Sequence, residues 1–277
     1  MKIYKTKSAN IIEYNNEFYL SIQSDWDMLI NQDDLYQNLL SQVNTAEKMM
    51  PDWVSTHLIL APIANQEIWA AGVTYLRSMH ARMEESKDTG GATFYDKVYD
   101  AERPEIFFKA NALRTVGQNG LVRIRKDSTW DVPEPELTLL ISSSGKIVGY
   151  TIGNDMSSRS IEGENPLYLP QAKMYEGCAA LGPCIYVPEN SIDPSTTISI
   201  LIERNAVTMF NESIPISQMK RKHTELVDFL YRECSFPHGC FLMTGTGIVP
   251  PNSFSLQSGD QISITIQSIG TLKNTVA

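Results

Sequence analysis

The sequence predicts a β-rich α+β fold: a small N-terminal α/β domain, then a larger domain of strands with few helices. Three observations carry this. The 277 residues correspond to about two domains at roughly 150 residues each. Residues 1–62 switch from strand-like to helical periodicity and are punctuated by Pro51 and Pro62. Beyond Pro104 the pattern becomes short apolar runs broken by turn residues, the signature of strands. A soft boundary falls near 62, giving domains 1–62 and 63–277.

Ile3–Ile22 is strand-like, with Ile11–Tyr14 and Phe18–Ile22 flanking a turn at Asn15–Asn16. Leu35, Leu39, Leu40, Val43 and Ala46 then recur at helical spacing behind the cap-like Asn31 and acidic Asp33–Asp34, predicting a helix over 33–49. Ile68–Val73 is a short apolar run. Residues 76–88 suit a helix that Gly90–Gly91 interrupts, and a second short helix fits 94–101. Strands follow at Ile106–Lys109, Leu137–Ile141, Ile147–Ile152, Ile198–Glu203 and Ile262–Gln267. A last helix fits 224–234, with Leu226, Phe229 and Leu230 on one face.

Composition excludes several functions. Hydrophobic residues at 42% and charged residues at 20% do not suit a disordered chain. With 23 basic and 32 acidic residues the net charge is −9, which disfavours nucleic acid and anionic membrane surfaces as partners. An anionic substrate then needs a local positive pocket or a bound cation. No apolar run approaches the roughly 20 residues of a membrane span, and the N-terminus lacks the apolar core of a signal peptide. The expected location is cytoplasmic. Cys178 and Cys184, like Cys234 and Cys240, stand six positions apart, which is no zinc spacing. His57, His223 and His238 have no ligand-like spacing either. Gly245–Thr246–Gly247 lacks the lysine of a phosphate loop and reads as a tight turn at a site rim.

The chemistry concentrates in VPEPELTLLISSSGKIVGYTIGND. Side chains two apart on a strand share a face, so Glu134 and Glu136 project together. Pro135 cannot donate to a ladder, so this end of the strand is an edge or a bulge. Across the turn, Lys146 faces either Ser142 or Ser143. The second register puts Asp155 opposite Glu134. Three carboxylates converging there repel one another unless a cation lies between them. All-oxygen ligation points to Mg²⁺, with Mn²⁺ or Ca²⁺ as alternatives, rather than zinc. The competing reading is a solvated acidic hairpin end, because a one-residue slip turns every side chain to the other face.

VPEPELTLL, YTIGNDMSSRSIEGENPLYLPQAK, GCAALGP and GDQISITIQSIGTLKNTV resemble the fumarylacetoacetate hydrolase family, from about Ile68 to the C-terminus. The resemblance implies a mixed β-roll or barrel-like catalytic domain behind a small N-terminal domain, and a homodimer or homotetramer. It also implies Glu134, Glu136 and Asp155 as ligands of magnesium. WAAGVTYLRS, FYDKVYDAERPEIFFKAN and EGENPLYLPQAK are most like the family's 2-keto-3-deoxy-arabinonate (pentonate) dehydratases. That branch implies a dehydratase acting on a 2-keto-3-deoxy sugar acid through an enolate, with no organic cofactor. The resemblance places Lys173 and Glu105 beside the metal as acid–base candidates. Glu105 enters an apolar run, where desolvation raises a carboxyl pKa. Ser78, Ser158, Arg159 and Thr271 are candidates for binding substrate oxygens; Arg159 suits a carboxylate grip or a structural ion pair.

Two other functions compete. One is C–C bond hydrolysis of acylpyruvate or fumarylacetoacetate-like diketo acids; the other is metal binding without catalysis, against which the intact charged set argues. Family hydrolases use a histidine and a glutamate three residues later to activate water. Here Ser78 stands where that histidine belongs. His80 is displaced by two residues, about 200° around a helix, although Glu84 lies within reach at i+4. Dehydration needs no activated water and is the favoured reading.

Overall fold

Pro135–Ile141 is buried along its whole length and forms the centre of the larger of two main sheets. The computed structural model describes residues 1–50, 57–85 and 97–277. Pro135–Ile141 pairs antiparallel with Ile147–Asp155 on one side and Cys240–Met243 on the other. Beyond Cys240–Met243 come Glu67–Gly72 and Glu105–Asn111. Beyond Ile147–Asp155 come Ala179–Tyr186 and then Lys2–Lys5, Asn10–Tyr14 and Glu17–Leu20. A second sheet runs in the order Val207–Pro215, Thr197–Arg204, Gln261–Ile266, Gly270–Val276, Leu121–Val122. Parallel and antiparallel pairs occur in both. Among the described residues neither sheet closes into a barrel: the larger ends at Glu17–Leu20 and Glu105–Asn111.

Strand alternation sorts the core. Leu137, Leu139 and Ile141 join Ile198, Ile200, Ile262 and Ile264 of the second sheet in one apolar cluster. Leu140, one position out of phase, joins Ile68, Phe241, Trp26, Leu29 and Leu39 in another. Both faces of the central strand are therefore covered, which explains its continuous apolar run.

The N-terminal strands extend this same sheet, with Ile3 opposite Ile185. Ile3, Ile12 and Trp26 share a cluster with Leu140 and Phe241. The segments on either side of residue 62 thus share one sheet and one core. Asn15 and Asn16 have φ of 52° and 62°, as a tight hairpin turn requires. The helix expected over 33–49 is shorter, Leu35–Val43. Its expected last turn is drawn into strand-like pairing, where the Leu20 amide donates to Glu47 O and the Met49 amide to Phe18 O.

The helix expected at 76–88 is Leu76–Glu85; residues 86–88 lie outside the described residues. So do 94–96 of the next expected helix, of which 97–100 are helical. The last expected helix is His223–Leu230. Cys240–Met243, Ala179–Tyr186, Val207–Pro215 and Gly270–Val276 are strands beyond those expected. Among the described residues, no helix is long and apolar enough to cross a membrane.

Ile12 is fully buried in the cluster shared by the N-terminal strands and the central sheet. Ile12→Ala is expected to lower stability by about 2–5 kcal/mol, in a single urea transition. An early separate transition for the N-terminal strands would show instead that they fold independently.

Candidate active site

The hairpin register sets the site. Glu136 lies opposite Gly153 and Pro135 opposite Asn154, and the Asp155 amide donates to Glu134 O at 3.0 Å. At the turn itself Ser142 faces Lys146, its amide donating to Lys146 O at 2.8 Å, and a bulge between Ile147 and Gly149 shifts the pairing by one into the register that sets Asp155 opposite Glu134. Each of Glu134, Glu136 and Asp155 offers a carboxylate oxygen within 4.8 Å of the others, and all three side chains are buried. Gly153 is needed opposite Glu136, since a Cβ there would lie 2.3 Å from Thr138 Oγ1. Pro135 is tolerated because Cys240–Met243 pairs no further along the central strand than Thr138. The chain then turns at Gly245, whose amide donates to Glu136 Oε2 at 2.5 Å.

Cations surround the cluster. Lys173, at the end of helix Leu169–Lys173, donates to Glu134 Oε2 at 2.6 Å, Asp155 Oδ2 at 3.1 Å and Ser157 Oγ at 2.5 Å. Arg159 Nη2 donates to Glu134 Oε1 at 2.6 Å. Lys109 Nζ lies 2.5 Å from Asp155 Oδ1. Arg82, from helix Leu76–Glu85, pairs with Glu162 at 3.0 Å, and Glu162 lies 3.5 Å from Lys173.

The pKa shifts follow from this crowding. Burial raises Glu136 well above its usual value, and Asp155 and Glu134 raise it further. Burial also raises Glu134, with Lys173 only partly opposing it. Burial would raise Glu162 too, but Arg82, Lys173 and Arg159 outweigh it and hold that carboxyl at about 2. For Lys173 burial acts downward, yet Asp155, Glu134 and Glu162 prevail and raise it. Glu134 and Glu136 thus resist ionisation in a pocket whose donor set is all oxygen. A divalent cation is the group that such a set fits, with Mg²⁺ favoured by the ligand type.

Glu105 does not itself line this pocket; it stands beside Gly72, which does. It faces Gly72 across the sheet edge, and a Cβ on Gly72 would sit 2.1 Å from Glu105 Oε2. Glu105 Oε2 is out of solvent and has no hydrogen-bond partner. Burial raises its pKa; Arg82 and Lys173 oppose this, while Glu162 and Asp155 add to it.

The pocket holds about 20 Å³ and is lined by Gly72, Val73, Ser78, Arg82, Phe107, Arg159, Lys173, Thr246 and the three acids, among others. That is room for about one water-sized occupant. Val73 has φ of 55°, a strained conformation for a β-branched residue, where the chain turns into the covering helix. Thr74 anchors that turn by donating to Thr244 O at 2.7 Å. A larger surface groove of about 630 Å³ lies at the opposite end of the hairpin, around Lys146 and His223, away from these acids.

The remaining expected residues divide. Ser78 lines the pocket, though its hydroxyl is engaged in the helix's first turn, donating to Tyr75 O at 2.7 Å. Arg159 lines it and pairs with Glu134. Ser158 does not line it: the chain alternates, so Ser157 meets Lys173 while Ser158 donates to Ser128 Oγ at 2.7 Å. Thr271 does not either. Its strand belongs to the second sheet, where its hydroxyl bonds Thr265 Oγ1 at 2.8 Å beside a separate groove near Tyr4. His80 is exposed and outside the pocket.

Lys109, Arg82, Ser157 and Glu162 went unrecognised from sequence. A lysine inside the apolar strand IFFKA and an arginine one helical turn beyond Ser78 were the available signals.

Residues 68–277 match the family described as fumarylacetoacetate (FAA) hydrolase C-terminal. The chain belongs to the fumarylacetoacetate hydrolase family. A probable 2-keto-3-deoxyxylonate dehydratase of Haloferax volcanii is 50% identical over 216 residues, 78% of this chain and 73% of that protein. The 2-dehydro-3-deoxy-D-arabinonate dehydratase of Saccharolobus solfataricus is 44% identical over 216 residues, 77% of this chain and 72% of that one. A solved structure of 2-keto-3-deoxy-D-arabinonate dehydratase, complexed with magnesium and 2,5-dioxopentanoate, superposes with a TM-score of 0.85. It is 34% identical and covers 100% of this chain and 98% of its own.

A raised folded-state pKa means that Glu105 favours the fold while protonated, and that this contribution is lost as pH rises through the raised value. Glu105→Gln cannot ionise. Its melting temperature is therefore expected to gain on wild type between pH 5 and pH 8, each unit of the pKa rise counting for about 1.4 kcal/mol. A constant difference across that range would show that Glu105 is not held protonated by burial.

Proposed function

We propose that this chain is a Mg²⁺-dependent dehydratase of 2-keto-3-deoxy sugar acids, with a pentonate such as 2-keto-3-deoxy-arabinonate as substrate. The dehydratase relatives and the fit of the acid cluster to magnesium support the class. The observation that carries the choice against C–C hydrolysis is the orientation of helix Leu76–Glu85. Ser78 and Arg82, one turn apart, line the pocket, while His80 is exposed. A hydrolase needs a base aimed at water in the site; a dehydratase does not, since its leaving group is already the C4 hydroxyl.

Glu134, Glu136 and Asp155 hold the ion. Bound Mg²⁺ supplies Lewis acidity toward the substrate's 1-carboxylate and 2-keto oxygens. Arg159 and Arg82 offset the substrate's negative charge from the pocket wall. Lys173 has its three donors engaged with Glu134, Asp155 and Ser157 and serves as the fixed cation of the site. Glu105 carries the proton: its free Oε2 accepts one from C3, and the carboxyl delivers one to the C4 oxygen as that C–O bond breaks. Loss of water leaves an unsaturated keto acid that tautomerises to 2,5-dioxopentanoate. Assembly as a homodimer or homotetramer belongs to the same reading and is checked by sedimentation velocity.

The test is a set of 2-keto-3-deoxy sugar acids beside acylpyruvates, each with Mg²⁺ and with a chelator, products identified by NMR. Metal-dependent formation of 2,5-dioxopentanoate is expected. Glu105→Gln should bind substrate and lose turnover by on the order of 10²-fold or more. His80→Ala should dehydrate within a few-fold of wild type. Fast acylpyruvate cleavage that disappears in His80→Ala, with no dehydration of any keto-deoxy acid, would establish the hydrolase instead.

A further inference from the structure

Met219–Arg221 holds the chain at two places: just before the covering helix and just before Glu105. At the first, Tyr75 bridges to Met219, and the Lys220 amide donates to Thr74 O at 2.9 Å. At the second, Lys220 Nζ lies 4.0 Å from the Tyr99 ring centroid and donates to Tyr99 O at 2.7 Å and to Asp100. Arg221 Nη2 donates to Ala101 O at 2.5 Å and to Val98 O at 3.2 Å, and its Nη1 to Glu102 O at 3.2 Å. The two held stretches also touch each other, since Val98 and Tyr99 pack against Val73 and Met79.

Arg221 is the centre of this clasp. It is buried, and its Nη1 also meets Glu225 Oε1 at 2.5 Å, which ties it to helix His223–Leu230. A planar guanidinium presents its donors in a fixed fork and serves several carbonyls and a carboxylate together, whereas an ammonium is a compact point charge. Arg103, further along the held chain, lies over Phe229 of the same helix, 5.5 Å from its ring centroid. Glu105 follows Pro104 and pairs with Gly72. Neither Lys220 nor Arg221 lines the acid pocket. They reach the reaction only through the chain they hold, which carries Ser78 and Arg82 on one side and leads into Glu105 on the other. Misplacing a reacting group by about 1 Å costs on the order of 10²-fold in rate.

We propose that Arg221 is a positioning residue for the reaction: by gathering the carbonyls of Val98, Ala101 and Glu102 it holds Glu105 in place against the covering helix. The proposal rests on the reading that Glu105 carries the proton.

The experiment compares full-length wild type, Arg221→Met, Arg221→Lys and Glu105→Gln, well below their melting temperatures. Steady-state kinetics use whichever keto-deoxy acid or acylpyruvate the wild type turns over with Mg²⁺. Calorimetric titration of Mg²⁺ and hydrogen exchange read by mass spectrometry accompany them. Arg221→Met should lower kcat by about tenfold or more, more than it changes KM. Its Mg²⁺ dissociation constant should stay within about threefold of wild type, since the acids lie on a hairpin that Arg221 does not hold. Exchange should quicken in 98–105 and not in 134–155. Arg221→Lys should fall between wild type and Arg221→Met. A part in stability alone would lower the melting temperature and leave kcat of the folded enzyme in place. A smaller fall in kcat, unchanged exchange in 98–105, or a matching loss of Mg²⁺ affinity overturns the proposal. If Arg221→Met does not fold, Arg221→Lys decides, with a loss of at least about threefold in kcat required. Full turnover by Glu105→Gln, or a wild type inactive on both substrate classes, would overturn the reading of the site and the proposal with it. An inactive Glu105→Gln beside a fully active Arg221→Met would overturn the proposal alone.

Discussion

Like charges repel strongly when buried, and Glu134, Glu136 and Asp155 offer oxygens within 4.8 Å of one another. At that spacing two carboxylates cost on the order of 3–4 kcal/mol per pair, even at an effective dielectric near 20. Much of the surrounding architecture answers this repulsion. Lys173 and Arg159 come from the helices that follow the hairpin, Lys109 from a sheet-edge strand and the Gly245 amide from a turn. Each donor is itself buried or backbone, so the compensation depends on the fold being complete. The protein's own donors are not enough, since Glu134 and Glu136 keep raised pKa values among them; a divalent cation would add positive charge that favours their ionised forms.

The same arrangement separates two tasks. The acids that hold the ion are pinned from the side by fixed donors. Glu105 is left with an oxygen that bonds to nothing, in space made by Gly72. A ligand benefits from being immobile and ionised, whereas a proton carrier benefits from burial that brings its pKa toward the working range. Glu162 shows the contrast: more deeply buried among the same groups, it is held at about 2 by three cations and remains a counter-charge for Arg82 and Lys173. Partner geometry, rather than burial, divides the two glutamates.

Family membership and the orientation of the covering helix bear on different questions. Membership concerns the chain from residue 68 to 277 and does not by itself choose between lyase and hydrolase chemistry. The covering helix presents Ser78 and Arg82 to the pocket and His80 to solvent. The proposed choice between dehydration and hydrolysis therefore rests on one face of a short helix.

The central hairpin was legible because its information is local. A two-residue period puts Glu134 and Glu136 on one face, and a short turn carries Asp155 back to them; which of the two possible registers holds was not legible, because a bulge after Ile147 shifts the turn's pairing by one to set Glu136 opposite Gly153. The helices around Leu39 and Leu226 were legible for the same reason, through their apolar spacing. Ser158 and Thr271 do not line the pocket, a matter on which motif likeness is silent because it carries no side-chain direction: Ser158 bonds Ser128 while Ser157 meets Lys173, and Thr271 sits in the second sheet. Lys109 and Arg82 stayed hidden because their partners lie far away in sequence, 46 residues in the case of Lys109 and Asp155. Spacing along a strand or a turn is set by bond geometry and can be read one residue at a time. Which distant charges meet in a dry pocket is set by how the sheets and helices pack, and only the folded chain decides it.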